Sequence, residues 1–515
     1  KDHKLNIIDT PGYADFVGEV NAAARVADAA VVVVCAASGV EVGTTKTWGY
    51  ADEAKLPRIV FINKMDRENA DFARTFEQMK STFGKVVAIQ LPIGAQHEFK
   101  GVVDLIAMKA YMGTQATEAE IPAAMKDQVK SFRDKLVEAI AETNDDLIAK
   151  YLEEQAISDQ ELIDCLRQAV RAGKLVPVLA GAALSNIGTP LLMDAIRNYL
   201  PSPKEAGATQ ATNPSTSQAE TLPPEVGAPL AALVFKTTAD PYVGKLSYFR
   251  VYSGVLSSDS QVWNANKQRQ ERIGQVFVPR GKTQQAVSQL MAGAIGAVAK
   301  LTANTGDTIC SKEHPVVLKP IVFPAPVFSV SVQPKTKADM DKLGNALSRL
   351  IEEDPTVVVH KEINTAETIM SGMGEAHLDV CAEKMQRKFG VEVVSSLPAV
   401  PYRETISVPV KTEYKHKKQT GGHGQYGHVF LELQPLPRGG GVQFEDKVVG
   451  GSVPRNYIAA VEKGVMEAVQ QGVLAGQPVA DVKVILFDGS SHAVDSSDMA
   501  FKIAGSLGFK KGVLE

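Results

Sequence analysis

The chain has 515 residues, 44% of them hydrophobic, and a formal net charge of −4. A single core rarely organises more than about 250–300 residues, so several domains are expected, and the charge balance excludes a globally cationic nucleic-acid-binding body. The four cysteines, Cys35, Cys165, Cys310 and Cys381, lack paired spacing, which argues against a disulfide framework or zinc ribbon and fits a reducing, cytoplasmic setting.

Lys1 opens the chain without Met or a charged-then-apolar leader, so no targeting segment is expected and the native start is expected upstream. Over the first two hundred residues, β-rich runs ("KLNIIDT", "AAVVVVCAA", "RIVFINK") alternate with helical stretches such as "GTTKTWGYADEAKL". Continuously apolar strands separated by helices predict a parallel sheet covered on both faces. The run "AAVVVVCAA" is too short for a membrane helix, which needs roughly 18 residues, so it reads as a buried strand and no membrane partner is expected. From 91 to about 173 the pattern changes to charged amphipathic helices, read as a helical or mixed insertion; "LVPVLAGAAL" resumes the sheet, and "YLPSP" closes the domain at about 203 because proline cannot continue a helix.

Residues 204–226, rich in Ala, Thr, Ser, Pro and Gln without apolar periodicity, predict an unstructured linker. Short strands punctuated by "SG", "PRG", "AG" and "TGD" over 227–322 predict an antiparallel β-barrel. Residues 323–398 read strand, helix, strand, strand, helix, strand, the ferredoxin-like order; in the first helix Met340, Leu343, Leu347, Leu350 and Ile351 recur at helical spacing and predict one buried face. A fourth, elongated α+β unit over 399–515 combines strands, an exposed glycine-rich loop and at least one long helix, and stops without a terminating signal.

Two motifs carry chemistry. "DTPG", Asp9 to Gly12, offers a carboxylate at a strand end and a glycine amide able to meet a phosphate, as a metal-bound nucleoside triphosphate requires. The same residues are ordinary turn formers. "NKMD", Asn63 to Asp66, follows the next apolar strands, and ligands of such sheets bind where strands end. Asp66 would accept from N1–H and the exocyclic amine of guanine while the Lys64 stem covers the ring; adenine would leave that acceptor unpaired, a penalty of roughly 10⁴-fold. Together the motifs predict a GTPase.

The series "IIDTPGYADF", "INKMDR", "YLPSP", "EEDPTV", "SGMGEAHLDV", "VPYRETI", "GGHGQYGH" and "HAVDSSDMAFK" resembles bacterial elongation factor G over nearly the whole chain. The resemblance implies a five-domain translocation GTPase with GTP and Mg2+ as cofactors. GTP would be contacted by Asp9, Thr10, Pro11, Gly12, Asn63, Lys64, Met65, Asp66, Ala182 and Ala183, and Mg2+ by Asp9 through water. It further implies a phosphate-binding loop and first switch before Lys1 and a last domain after Glu515, so the chain alone is expected to bind GTP poorly and to be inactive. Two departures stand out. The family usually carries a water-orienting histidine where this chain has Tyr13, the candidate catalytic position. "GAALSN", residues 181–186, stands where the family has Ser-Ala, although Ala182 and Ala183 are expected to offer backbone amides.

In "KTEYKHKKQTGGHGQYGH", Lys411, Lys415, Lys417 and Lys418 beside Tyr414 and Tyr426 suit phosphates and base stacking, or a merely solvated charge run. His416, His423 and His428 lack partners at zinc-ligand spacing. By resemblance, Lys417, Lys418, His423, Gln425, Tyr426 and His492 would contact ribosomal RNA, tRNA and mRNA near the decoding region, with His423 replacing the usual arginine. The expected protein is a cytoplasmic monomer that moves tRNA and mRNA. A slow-hydrolysing paralogue in ribosome recycling or protection, and a non-enzymatic ribosome-binding protein, are the alternatives.

Overall fold

The computed structural model describes residues 3–240, 244–281, 283–419 and 424–515. The chain divides into two compact units, Lys1–Val359 with Met370–Val394, and His360–Ile369 with Ser395–Glu515.

In the first unit, helix α1 (Val17–Val26) leads to strand β1 (Ala30–Cys35), α2 (Val42–Glu53), β2 (Arg58–Asn63), α3 (Phe72–Phe83) and β3 (Val86–Ala88). An insertion follows: β4 (Gln90–Ile93), β5 (Gly101–Asp104), β6 (Lys109–Met112) and β7 (Thr117–Ala119), then α4 (Lys126–Ala141), α5 (Asp145–Leu152) and α6 (Asp159–Arg171). Strand β8 (Val176–Ala180) and α7 (Thr189–Tyr199) complete the domain. The sheet order is β1-β2-β8-β3, all parallel. β8 is buried throughout and β2 over five of its six residues, as a sheet covered on both faces requires. Because β2 and β8 are parallel neighbours, the loops after Asn63 and Ala180 leave from one sheet edge.

Two expectations are corrected here. "KLNIIDT" forms no strand: strands exist through a hydrogen-bonded neighbour, and among the described residues nothing pairs with this segment, leaving Ile7 72% exposed while Ile8 packs inward. β1 is not continuously buried, since Val33 is 59% exposed at the sheet edge. The insertion is mixed, opening with the antiparallel meander β4 to β7 before its helices.

Residues 204–226 are also not structureless. Strands Thr209–Thr212 and Ala219–Leu222 pair as a hairpin, and Val317–Leu318 adds a third strand. Composition alone missed that Ala211 and Leu222 could be buried in a core supplied by the neighbouring domains. The following antiparallel sheet has eight strands. Its strand Ala231–Asp240 buries both faces by alternation: Ala232 and Val234 point into the barrel core, while Ala231, Leu233 and Phe235 pack toward Ala22 and Val26 of α1.

The next module follows the ferredoxin-like order, with helices Lys337–Glu353 and Glu375–Phe389. Leu343, Ala346, Leu347 and Leu350 form the buried face of the first helix. Met340 and Ile351 are exposed, because at about 100° per residue they lie at the margin of that stripe.

In the second unit, strands Val410–Lys418, Gln425–Pro435, Val482–Ser490 and Val442–Asp446 are neighbours in that order, the last pair parallel. Helices Arg455–Gln471 and Asp498–Leu514 cover the sheet. They approach closely because Gly464 lies against the Lys502 backbone and Gly505 against Val461, leaving no room for a Cβ.

Candidate guanine-nucleotide site

Asn63 ends β2 and ties two loops together. Its Oδ1 accepts from the Lys64 amide at 2.8 Å and the Ala183 amide at 2.9 Å. The Gly181 amide donates to Ile62 O at 3.0 Å and the Met65 amide to Gly181 O at 3.1 Å. Lys64 adopts a left-handed conformation, φ 62°, and Met65 is fully buried as the anchor of the turn. This leaves Lys64 exposed and Asp66 half-buried, with the Ser185 hydroxyl donating to Asp66 Oδ2. Leu184 beside it is 99% exposed. A half-buried carboxylate acceptor on a loop that also exposes a lysine stem suits a polar, donor-bearing ring.

The expectation for Ala182 and Ala183 is corrected. The Ala182 amide donates to Ile187 O at 2.9 Å, closing the loop, and the Ala183 amide is held by Asn63. Neither is free; the next two amides, of Leu184 and Ser185, make no backbone hydrogen bond among the described residues. At Cys35, the residue paired with Asn63, burial pushes the thiol up, but hydrogen bonds from Ser38 and Ala37 and the charge of Lys64 outweigh it and hold the thiol below its usual value.

Asp9, Thr10, Pro11 and Gly12 are exposed, and Asp9 makes no hydrogen bond or ion pair among the described residues. Gly12 passes the N-terminal turn of α2, near Gly43. Among the described residues no hydrogen bond joins this segment to Asp66. Tyr13 is 63% exposed, its ring 6.4 Å from that of Phe16 and tilted by 51°.

Directly after Tyr13 lies a junction that sequence reasoning missed. Helix Glu375–Phe389 starts at Gly374, which has no side chain to cap it. The Asp15 carboxylate takes that place, accepting from the His377 amide at 3.4 Å and packing on Gly374. Phe16 meets the His377 ring edge-on at 5.7 Å.

His377, Asp354 and Cys381 are close enough to suggest a metal site, but their hydrogen bonds define a different state. His377 Nδ1 accepts from the Met373 amide at 3.0 Å, so its proton is on Nε2, which donates to Asp354 at 2.8 Å. Burial would raise the Asp354 carboxyl, yet His377 and Thr356 hold it low. Burial pushes the Cys381 thiol up to about 12, the nearby Asp354 charge adding to it. A protonated thiol beside a satisfied carboxylate is a packed structural cluster.

In the second unit, Lys417 stands opposite Tyr426 and Lys418 opposite Gln425, and Gln425 Oε1 lies 3.0 Å from His416 Nε2. Tyr426 bonds Ser490 at 2.8 Å, and its ring is 6.1 Å from that of His492. His492 is exposed, and its Nδ1 accepts from the Asp495 amide at 3.2 Å. Tyr426 and His492 thus belong to one cluster, stitched further by Gly424 N to Asp495 at 2.9 Å. His423 lies outside the described residues.

A parallel sheet presenting a guanine-type loop pair, followed by a barrel and two α+β modules, defines a translational GTPase. Residues 1–202 match the elongation factor Tu GTP binding domain family, 229–312 elongation factor G domain 2, 323–396 elongation factor G domain III and 398–515 elongation factor G domain IV. A crystallised protein from Thermus thermophilus is 38% identical, with a TM-score of 0.81, covering 98% of this chain and 74% of that one. The chain belongs to the elongation factor G-like translational GTPases. Among the described residues no helix is long and apolar enough to cross a membrane.

Proposed function

We propose that the protein is a ribosomal translocation factor that reads guanine through Asp66, hydrolyses GTP and acts as a cytoplasmic monomer. The observation that carries this reading is the Asn63 bridge, whose Oδ1 accepts from the Lys64 and Ala183 amides and so ties the loop bearing Asp66 to the loop bearing Leu184. Asp9 to Gly12 serve the phosphate side. The unpaired Asp9 carboxylate is the hard oxygen donor that Mg2+ takes, usually through water, and the ion would neutralise phosphate charge when bound. The loop pair around Lys417, Lys418, Gln425, Tyr426 and His492, with His423, meets tRNA, mRNA and ribosomal RNA near the decoding region. The domains are bounded at 1–203, 227–322, 323–398 and 399–515.

Replacing Asp66 by Asn turns an acceptor into a donor and should move preference from guanine to xanthine nucleotides, read as competitive binding of GDP and XDP. An unchanged preference for GDP refutes the assignment. Tyr13, exposed and with a hydroxyl that makes no hydrogen bond among the described residues, favours a second reading, a slow-hydrolysing paralogue in ribosome recycling or protection. Ribosome-stimulated phosphate release separates these readings from a non-enzymatic binder, for which GTP binding persists without turnover.

A further inference from the structure

Away from the guanine loops, a cavity of about 510 Å3 lies where the ends of α1, α2 and α6 meet the barrel. Pro203 packs against Gly293 in its wall. Five cations line it, Arg25, Lys55, Arg171, Arg250 and Lys319, against three carboxylates, Asp28, Glu53 and Glu205. The excess of two positive charges (5 − 3 = 2) occurs in a chain whose net charge is −4.

The pairing leaves the excess of two in place, with Arg25, Lys55 and Lys319 set against Glu53. Asp28 is taken by Arg250 at 2.6 Å and Glu205 by Arg171 at 2.9 Å. Arg25 has no carboxylate partner; it donates to Lys319 O at 2.9 Å and to the Tyr252 hydroxyl at 2.8 Å, and its guanidinium stands over the Tyr252 ring. Lys55 and Lys319 are exposed at the rim and form no ion pair among the described residues. Arg250 is only 5% exposed, yet its Nε has no hydrogen-bond partner, and the same holds for the buried Nε of Arg171. These buried nitrogens keep positive charge behind the wall, while the side chains that reach the opening without an ion pair, Lys55 and Lys319, carry ammonium groups suited to phosphate oxygens.

We propose that this crevice binds a small phosphorylated anion, distinct from the guanine nucleotide, and by touching both walls fixes the first domain against the barrel. Lys55 and Lys319 supply the rim charge and Arg25 the inner positive charge.

The test uses the chain with inorganic tripolyphosphate as probe, by calorimetric titration at low salt with saturating GDP present, so that a guanine site cannot account for the heat. The expected result is one bound probe per chain, an affinity at least tenfold weaker in Lys55→Glu/Lys319→Glu, and an unchanged affinity in Lys337→Glu/Lys342→Glu, which carries the same charge change on a helix that does not line the crevice. The neutral pair Lys55→Gln/Lys319→Gln should lose affinity with an unaltered melting temperature, which separates lost binding from lost folding. Absence of binding to the wild type, or equal weakening by the two charge reversals, overturns the proposal.

Discussion

Glu404 is expected to latch the loop at 473–477, and Glu404→Gln should release it. The Glu404 carboxylate accepts from four amides, those of Val473 at 2.7 Å, Leu474 at 2.9 Å, Ala475 at 2.7 Å and Gln477 at 3.1 Å. Burial works to raise its pKa, but the four donors outweigh it and bring it from the usual 4.5 to about 2. At about 1.36 kcal/mol per pKa unit, the whole difference corresponds to about 3 kcal/mol, and solvent screening near the surface reduces this to about 1–2 kcal/mol. Since the folded pKa lies below the unfolded one, the stabilisation is present above pH 4.5 and is lost as the pH falls toward 2. Gln keeps one acceptor but points an NH2 at amide donors, so a local cost of about 2 kcal/mol is expected, roughly thirtyfold in the opening equilibrium. Hydrogen exchange of the amides of Val473, Leu474, Ala475 and Gln477, corrected for intrinsic rates, measures it directly. Protection should fall about thirtyfold at pH 7 in the variant, and in the wild type should weaken between pH 4.5 and 3. Equal protection in both proteins at pH 7 would refute the latch.

Three further outcomes are expected. Asn63→Ala strands the Lys64 and Ala183 amides and should weaken GDP binding at least tenfold in equilibrium titration; full affinity would show that other contacts hold the loops. Tyr13→His restores a group able to donate a hydrogen bond and carry charge, so ribosome-stimulated phosphate release should rise by roughly tenfold or more with nucleotide affinity within a few-fold; a slower variant would show that the phenol positions water adequately. His492→Ala should slow translocation in a single-round assay while GTP turnover and the melting temperature hold, because its ring is exposed; a drop in melting temperature with normal translocation would make it a structural residue.

The sequence was most legible where burial is continuous. β2 and β8 are apolar runs because both faces are covered, and the loops after them, "NKMD" and "GAALSN", could be placed without coordinates. What failed depended on neighbours. Residues 4–10 have the composition of a strand but no ladder to join, whereas 209–222 lack that composition and gain a strand from residues 317–318. The meander β4 to β7 escaped notice because its strands are three or four residues long, too short for alternation to register. In the site, Asp66 and Lys64 were readable as chemistry. The function of Asn63 as a bridge and the Ser185 bond to Asp66 required the two loops to be adjacent in space, since about 120 residues of chain separate them.

The capping of helix Glu375–Phe389 by Asp15 bears on how such proteins can be recombined. Any side chain at 374 would collide with the Asp15 carboxylate, and any residue at 15 without an acceptor would leave the His377 amide without its partner. Positions 15, 374 and 377, as much as 362 residues apart, therefore form a single heritable unit. A chimera that takes its first domain from one relative and its third from another should assemble well only when the two parents agree at these three positions.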